Sequence, residues 1–157
     1  MKPIPTRMTH DYDGELVVFL IGMRITKWTR PDLWWPTLLA MPPMLRELAG
    51  DPESGMIGYR VFGFPRNPTV IQYWTSLDKL YAYASDPTAK HRPNWSEYNR
   101  RTRAAKGVIG IWHETHAVAR TESIYVDIPP TGLAAATGTK PVTSHTDRAR
   151  QRFETDG

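Results

Sequence analysis

Leu16-Val17-Val18-Phe19-Leu20-Ile21-Gly22-Met23-Arg24-Ile25 is apolar at odd and even positions alike and rich in β-branched residues. A strand with one wet face alternates in polarity, so this run reads as a strand covered on both faces, at the middle of a sheet. The chain that follows supplies the rest of the layer. Pro31 and Asp32 open a helical region in which Trp34, Leu38, Met41, Leu45 and Leu48 recur at steps of four and three, one face of a helix. Pro42-Pro43 lack amide donors and crowd the preceding turn, so a kink or restart is expected there. Gly50-Asp51-Pro52 stops the element.

Residues 55–64 and Thr69–Trp74 read as two further strands joined through Pro65-Arg66-Asn67-Pro68, which is hairpin chemistry. Ser76 is a candidate N-cap for a helix over Leu77–Ser85, with Leu77, Leu80, Tyr81 and Ala84 turned inward. Asp86-Pro87 ends it. Another helix is expected from Pro93, carrying Trp95 and Tyr98, until Gly107 releases the chain into a fourth strand over residues 108–118. The order β-α-β-β-α-β predicts an α+β, ferredoxin-like fold. Residues 123–128 suit a short added strand. The Gly-, Ala- and Thr-rich residues 131–138 suit a loop that wraps a ligand or partner rather than a core element.

Residues 1–142 are thus expected to form a single domain, as 157 residues allow one sizeable core, with residues 143–157 a flexible polar tail. Helices on one side of a four-stranded sheet leave its other side bare and apolar, so a homodimer closing two sheets into an α+β barrel is expected.

Apolar residues make up 40% of the chain and charged ones 23%, ordinary for a soluble globular protein. The net charge of +4 does not gather on one predicted face; many basic residues fall in residues 92–106 and 140–152. A solvated surface is the reading, with no nucleic acid partner. No cysteine is present, which excludes disulfides, thiolate haem ligation, iron–sulfur clusters and cysteine nucleophiles. The longest apolar run, residues 16–22, is too short to span a bilayer, and the N-terminus has no apolar signal core, so no membrane partner and a cytoplasmic location are expected. Neither a glycine-rich nucleotide loop nor a serine nucleophile elbow is found.

Two histidine segments carry the chemistry: His91-Arg92-Pro93-Asn94-Trp95 and Gly110-Ile111-Trp112-His113-Glu114-Thr115-His116. Imidazole ligates iron or moves protons near neutral pH. On a strand, His113 and His116 leave from opposite faces, which argues against a shared zinc ion. His113 shares its face with Ile109 and Ile111, a setting that favours the neutral ring. It is either a core histidine bonded to a backbone carbonyl or a catalytic one. Glu114 points away from it. Trp74 and Trp112 are core aromatics first and ring-stacking residues second. Arg24, ending an apolar strand, requires a partner, and a propionate, a substrate carboxylate or an interface carboxylate would each serve.

The order of elements, with residues 72–80 (Gln-Tyr-Trp-Thr-Ser-Leu-Asp-Lys-Leu) and His91, resembles the dimeric α+β barrel superfamily of antibiotic-biosynthesis-type monooxygenases and haem-degrading enzymes. More narrowly, residues 15–142 resemble a bacterial and fungal family, labelled monooxygenase through a member from a fumagillin-type terpenoid pathway. Residues 18–24, 41–48, 72–74, 91–95 and 110–115 carry that likeness. Residues 70–135 are also similar, more loosely, to haem-containing aldoxime dehydratases. That second likeness implies His91 as proximal iron ligand and His113 as distal acid or base. Around such a haem, Arg24, Trp74 and Trp112 are candidate cofactor-binding residues.

The function expected from these readings is a haem-dependent oxidoreductase or monooxygenase acting on a small organic molecule. Three alternatives stand beside it. One is a cofactor-free monooxygenase whose electron-rich substrate reacts with dioxygen itself. Another is a haem-dependent dehydratase of an aldoxime-like N–O compound, and the third a non-catalytic haem or small-ligand carrier.

Overall fold

The structure, a computed structural model, describes residues 2–86 and 106–155 together with Arg100 and Arg103. Its elements are β1 (Met8–His10), β2 (Leu16–Ile25), α1 (Pro31–Gly50), β3 (Met56–Phe62), β4 (Thr69–Trp74), α2 (Leu77–Ser85), β5 (Ile109–Val118), α3 (Leu133–Thr137), β6 (Thr139–Pro141) and α4 (Ala149–Thr155). Four strands form an antiparallel sheet in the order β3-β4-β2-β5, so the run opening the sequence lies between two partners. With α1 and α2, this is the ferredoxin-like α+β fold.

Strand alternation divides the sheet into two faces. Val17, Phe19, Ile21, Met23 and Ile25 point to the inner face with the helices; Val18, Leu20, Gly22 and Arg24 point to the outer one. The inner face builds two packed clusters. Val17 and Trp74, both at 0% exposure, pack with Leu48 of α1 and Leu80 of α2. Met23, Ile25, Val108 and Ile109 pack around Trp34.

Helix α1 is continuous over 20 residues although Pro36, Pro42 and Pro43 lie inside it. The restart expected at the proline pair does not occur. Each proline removes one helical donor, but burial of Trp34, Leu45 and Leu48 along one stripe holds the segment helical, and tertiary packing outweighs local propensity. Helix α2 is capped by Ser76, whose Oγ accepts from the Lys79 amide at 3.2 Å. Its inward aromatic is Tyr83, stacked at 5.9 Å on Trp74; Tyr81 is exposed, contrary to the periodicity reading. Burial pushes the Tyr83 phenol up to about 12, with Glu47 and Asp86 adding to the effect.

The outer face is not bare along its whole length. β1 pairs with β6 and bridges to Tyr125, so both ends of the chain meet there. Residues 131–138, expected as an open loop, hold helix α3 with Leu133 and Ala134 buried. A Cβ on Gly58 would lie 2.5 Å from the Ala136 Cβ, so the glycine is what lets α3 approach β3. The residues expected as a flexible tail contain α4. Its Arg152 is buried, paired with Glu122, and donates to the Thr146 and Asp147 carbonyls at 2.8 Å each. His10, fully buried, holds Ser123 through Nδ1 at 2.8 Å.

Candidate functional site

Between α1 and the inner sheet face lies a cavity of about 330 Å³. The helix contributes Thr37, Leu38, Met41, Pro42, Leu45 and Arg46; the sheet contributes Ile21, Met23, Val70, Ile111, Tyr59 and Val61. Helical spacing accounts for the first set, since Leu38, Met41 and Leu45 sit on the stripe read from the sequence. Strand alternation accounts for the second. Most of the lining residues are aliphatic; the polar ones are Thr37, Tyr59 and Arg46, the last exposed and with its Nε donating to the Pro42 carbonyl at 3.3 Å. Such a volume and composition suit one small apolar molecule carrying a few oxygen functions.

His113 stands on the inner face, directly opposite Ile21 of the cavity wall and two residues along β5 from Ile111. Its ring meets Phe19 at 5.7 Å. It is exposed rather than enclosed as the sequence reading expected, because β5 is an edge strand. His116 leaves the outer face and pairs with Glu114 at 3.5 Å.

The other candidate residues do not join it. Trp112 lies on the outer face, its indole spread over Gly22; a Cβ there would stand 2.5 Å from Trp112 Cε2. Arg24 shares that outer face, and its Nη1 donates to Asn67 Oδ1 at 2.8 Å, a side-chain amide in place of the carboxylate expected. Trp74 is sealed in the core with its Nε1 donating to Gln72 Oε1 at 3.0 Å. His91, with the helix expected from Pro93, lies outside the described residues. A sheet therefore separates His113 from Trp112 and Arg24, and these side chains cannot hold one porphyrin between them.

A second cavity, of about 340 Å³, opens on the outer face beneath residues 121–133. Arg60, Tyr73 and Tyr125 are among its polar groups. Burial raises the Tyr73 phenol, Tyr125 raises it further, and Arg60 acts in the opposite sense. Sequence reading missed Thr37, Arg46 and Tyr59 in the first cavity and Arg60 and Tyr73 in the second. The strand period places Arg60 and Tyr73 on one face only once the register of β3 on β4 is known.

Comparison with known proteins bears on the fold and the family. The structure is similar to SnoaB, a cofactor-independent oxygenase from Streptomyces nogalater, at 13% identity over 69% of this chain and 97% of that one, with a TM-score of 0.41. It is also similar to a dimeric protein of unknown function and ferredoxin-like fold from Bacteroides fragilis NCTC 9343, at 11% identity, 66% and 96% coverage and a TM-score of 0.44. No curated protein sequence matches the chain significantly. No helix among the described residues is long and apolar enough to cross a membrane. The family model described as monooxygenase af470-like matches residues 16–133, three quarters of the chain. The protein belongs to the monooxygenase af470-like family.

Proposed function

We propose that the protein is a cofactor-independent monooxygenase that oxidises a small, electron-rich, oxygenated ring in the cavity between α1 and the inner sheet face. The observation that carries this reading is the cavity itself: aliphatic walls with Thr37, Tyr59 and Arg46 as its polar groups. Aliphatic walls hold an apolar ring. A guanidinium and a phenol stabilise the oxyanion of an ionised phenol or enol, where charge develops. The substrate then supplies the electrons.

His113 is the general base in this scheme, taking a proton from the substrate at the edge of the cavity. The anion passes one electron to dioxygen, and the radical pair joins into a carbon–oxygen bond. Cleavage of the O–O bond in the resulting hydroperoxide leaves a carbonyl on the ring and releases the second oxygen as water. Atoms and electrons balance without another reductant, because the substrate's methylene (the keto form of the phenol) becomes the carbonyl.

The working unit is a homodimer. Leu20 and Ile71 lie on the uncovered end of the outer face beside Phe62 and Trp112, exposed to 43% and 38%. A patch of that kind is suited to a second copy.

Metal-stripped protein incubated with 1,5-dihydroxynaphthalene, whose ring position para to a hydroxyl is free, under isotopically labelled dioxygen tests the reading. One labelled oxygen should enter the quinone product and one the water. Met41→Trp, which fills the cavity from α1, should remove turnover. His113→Ala should lower kcat by roughly 10²–10⁴-fold while leaving substrate binding nearly unchanged. Turnover that appears only after addition of haemin or a metal salt refutes it.

A further inference from the structure

The second cavity is separated from the first by the sheet, and its residues play no part in the reaction above. Its apolar walls include Leu16, Val18, Val118 and Leu133. Several of its polar groups are already engaged. Glu122 is neutralised by Arg152, Ser123 is held by His10, and the Tyr125 hydroxyl accepts from the Ala134 amide at 3.2 Å.

Arg60 and Tyr73 differ from these. Register pairs Gly58 with Tyr73 and Arg60 with Ile71, so Arg60 and Tyr73 are diagonal neighbours on the outer face, roughly 7–8 Å apart at the backbone. The Tyr73 hydroxyl reaches beneath the strap of residues 131–133: a Cβ on Gly132 would lie 3.3 Å from it. Gly132 also has φ +58, so a side chain there would be strained as well as close. The cavity therefore combines a guanidinium fork, a neutral phenol donor and aliphatic walls, with its one carboxylate already neutralised. That set matches an anion on a hydrophobic body, the fork and the phenol O–H serving the oxygens.

We propose that the outer-face cavity is a second binding site, for a small organic carboxylate with an apolar body, held by Arg60 and Tyr73. The carboxylate bridges the guanidinium and the Tyr73 hydroxyl, and the body lies against Leu16, Val18 and Val118.

Benzoate is the probe, titrated into full-length protein by calorimetry, with tyrosine ring resonances followed by NMR. Saturable binding that shifts the Tyr73 ring is expected. Arg60→Met, on an exposed edge-strand position, should weaken binding by about tenfold or more, and Tyr73→Phe by a smaller factor. Benzyl alcohol, with the same body and no charge, should bind at least about tenfold more weakly than benzoate. Met41→Trp in the first cavity should leave benzoate affinity unchanged. Benzoate bound equally well by Arg60→Met overturns the site. Loss of binding in Met41→Trp moves the ligand to the other cavity and overturns it too, and so does the absence of saturable binding to wild-type protein.

Discussion

Removing residues 143–157 tests whether the C-terminal segment belongs to the folded unit. One buried side chain anchors it to the rest of the fold: Arg152, 5% exposed, is paired with Glu122, and its bonds to the Thr146 and Asp147 carbonyls, inside the segment, hold the guanidinium in place. Breaking a buried pair by removing one partner costs about 3–5 kcal/mol, because the other charge is left uncompensated. Here the lower end applies, since deletion lets water reach Glu122 in the vacated space. The exposed Arg7–Asp147 pair adds little. For a chain of this size each kcal/mol moves Tm by about 2–4 °C, so about 3 kcal/mol predicts a drop of about 6–12 °C. Thermal unfolding followed by circular dichroism at neutral pH measures it. Arg152→Met, which keeps the buried stem, should reproduce most of the drop. Glu122→Gln should fall by less, because the amide oxygen still accepts. A truncated protein melting within about 2 °C of the full chain would show that α4 docks without contributing to stability, and the reasoning would fail.

Gly58→Ala should destabilise by about 1–3 kcal/mol, because the new Cβ meets both Cβ and Cα of Ala136 and helix backbone must move; denaturant titration reads it, and an unchanged midpoint would contradict the close approach. Leu20→Arg on the outer face should turn a dimer into a monomer in light scattering; wild-type protein that is already monomeric would remove the homodimer. Stability should decline between the ordinary tyrosine value of 10.0 and about pH 12, where the unfolded chain ionises Tyr83 before the folded one does. The sign follows from the raised value: the contribution is complete below 10.0 and is lost as pH passes about 12. Tyr83→Phe should flatten that part of the pH profile.

The sheet was legible because its signals are local. β2, β4 and α2 have the bounds that their apolar runs and flanking Gly, Pro and Ser residues imply. β1, β6, α3 and α4 were not, and for one reason. Each is three to seven residues long and is held by a distant partner: Met8 by Tyr125, Arg152 by Glu122, Ala136 by the space over Gly58. No periodicity can develop in so short a segment, and polar composition then reads as loop or tail. Arg152 shows the difficulty most sharply, since nothing in residues 143–157 announces that a carboxylate 30 positions earlier will bury it.

The candidate site was legible in one coordinate and not in another. Alternation along β5 correctly puts His113 with Ile109 and Ile111 and against His116. The same rule places Trp112, one residue away, on the other face, and Arg24 with it. A single haem environment built from His113, Trp112 and Arg24 therefore conflicts with the strand period itself. What the period could not supply is depth. A central β2 and a helix stripe through Leu38, Met41 and Leu45 identify the two walls of a space, yet the width between them depends on how far α1 stands from the sheet. That distance is set by contacts such as Trp34 on Met23 and Ile25 at one end and Leu48 on Val17 at the other. Between those two anchored ends the walls do not close, and the cavity with Thr37, Arg46 and Tyr59 is the consequence.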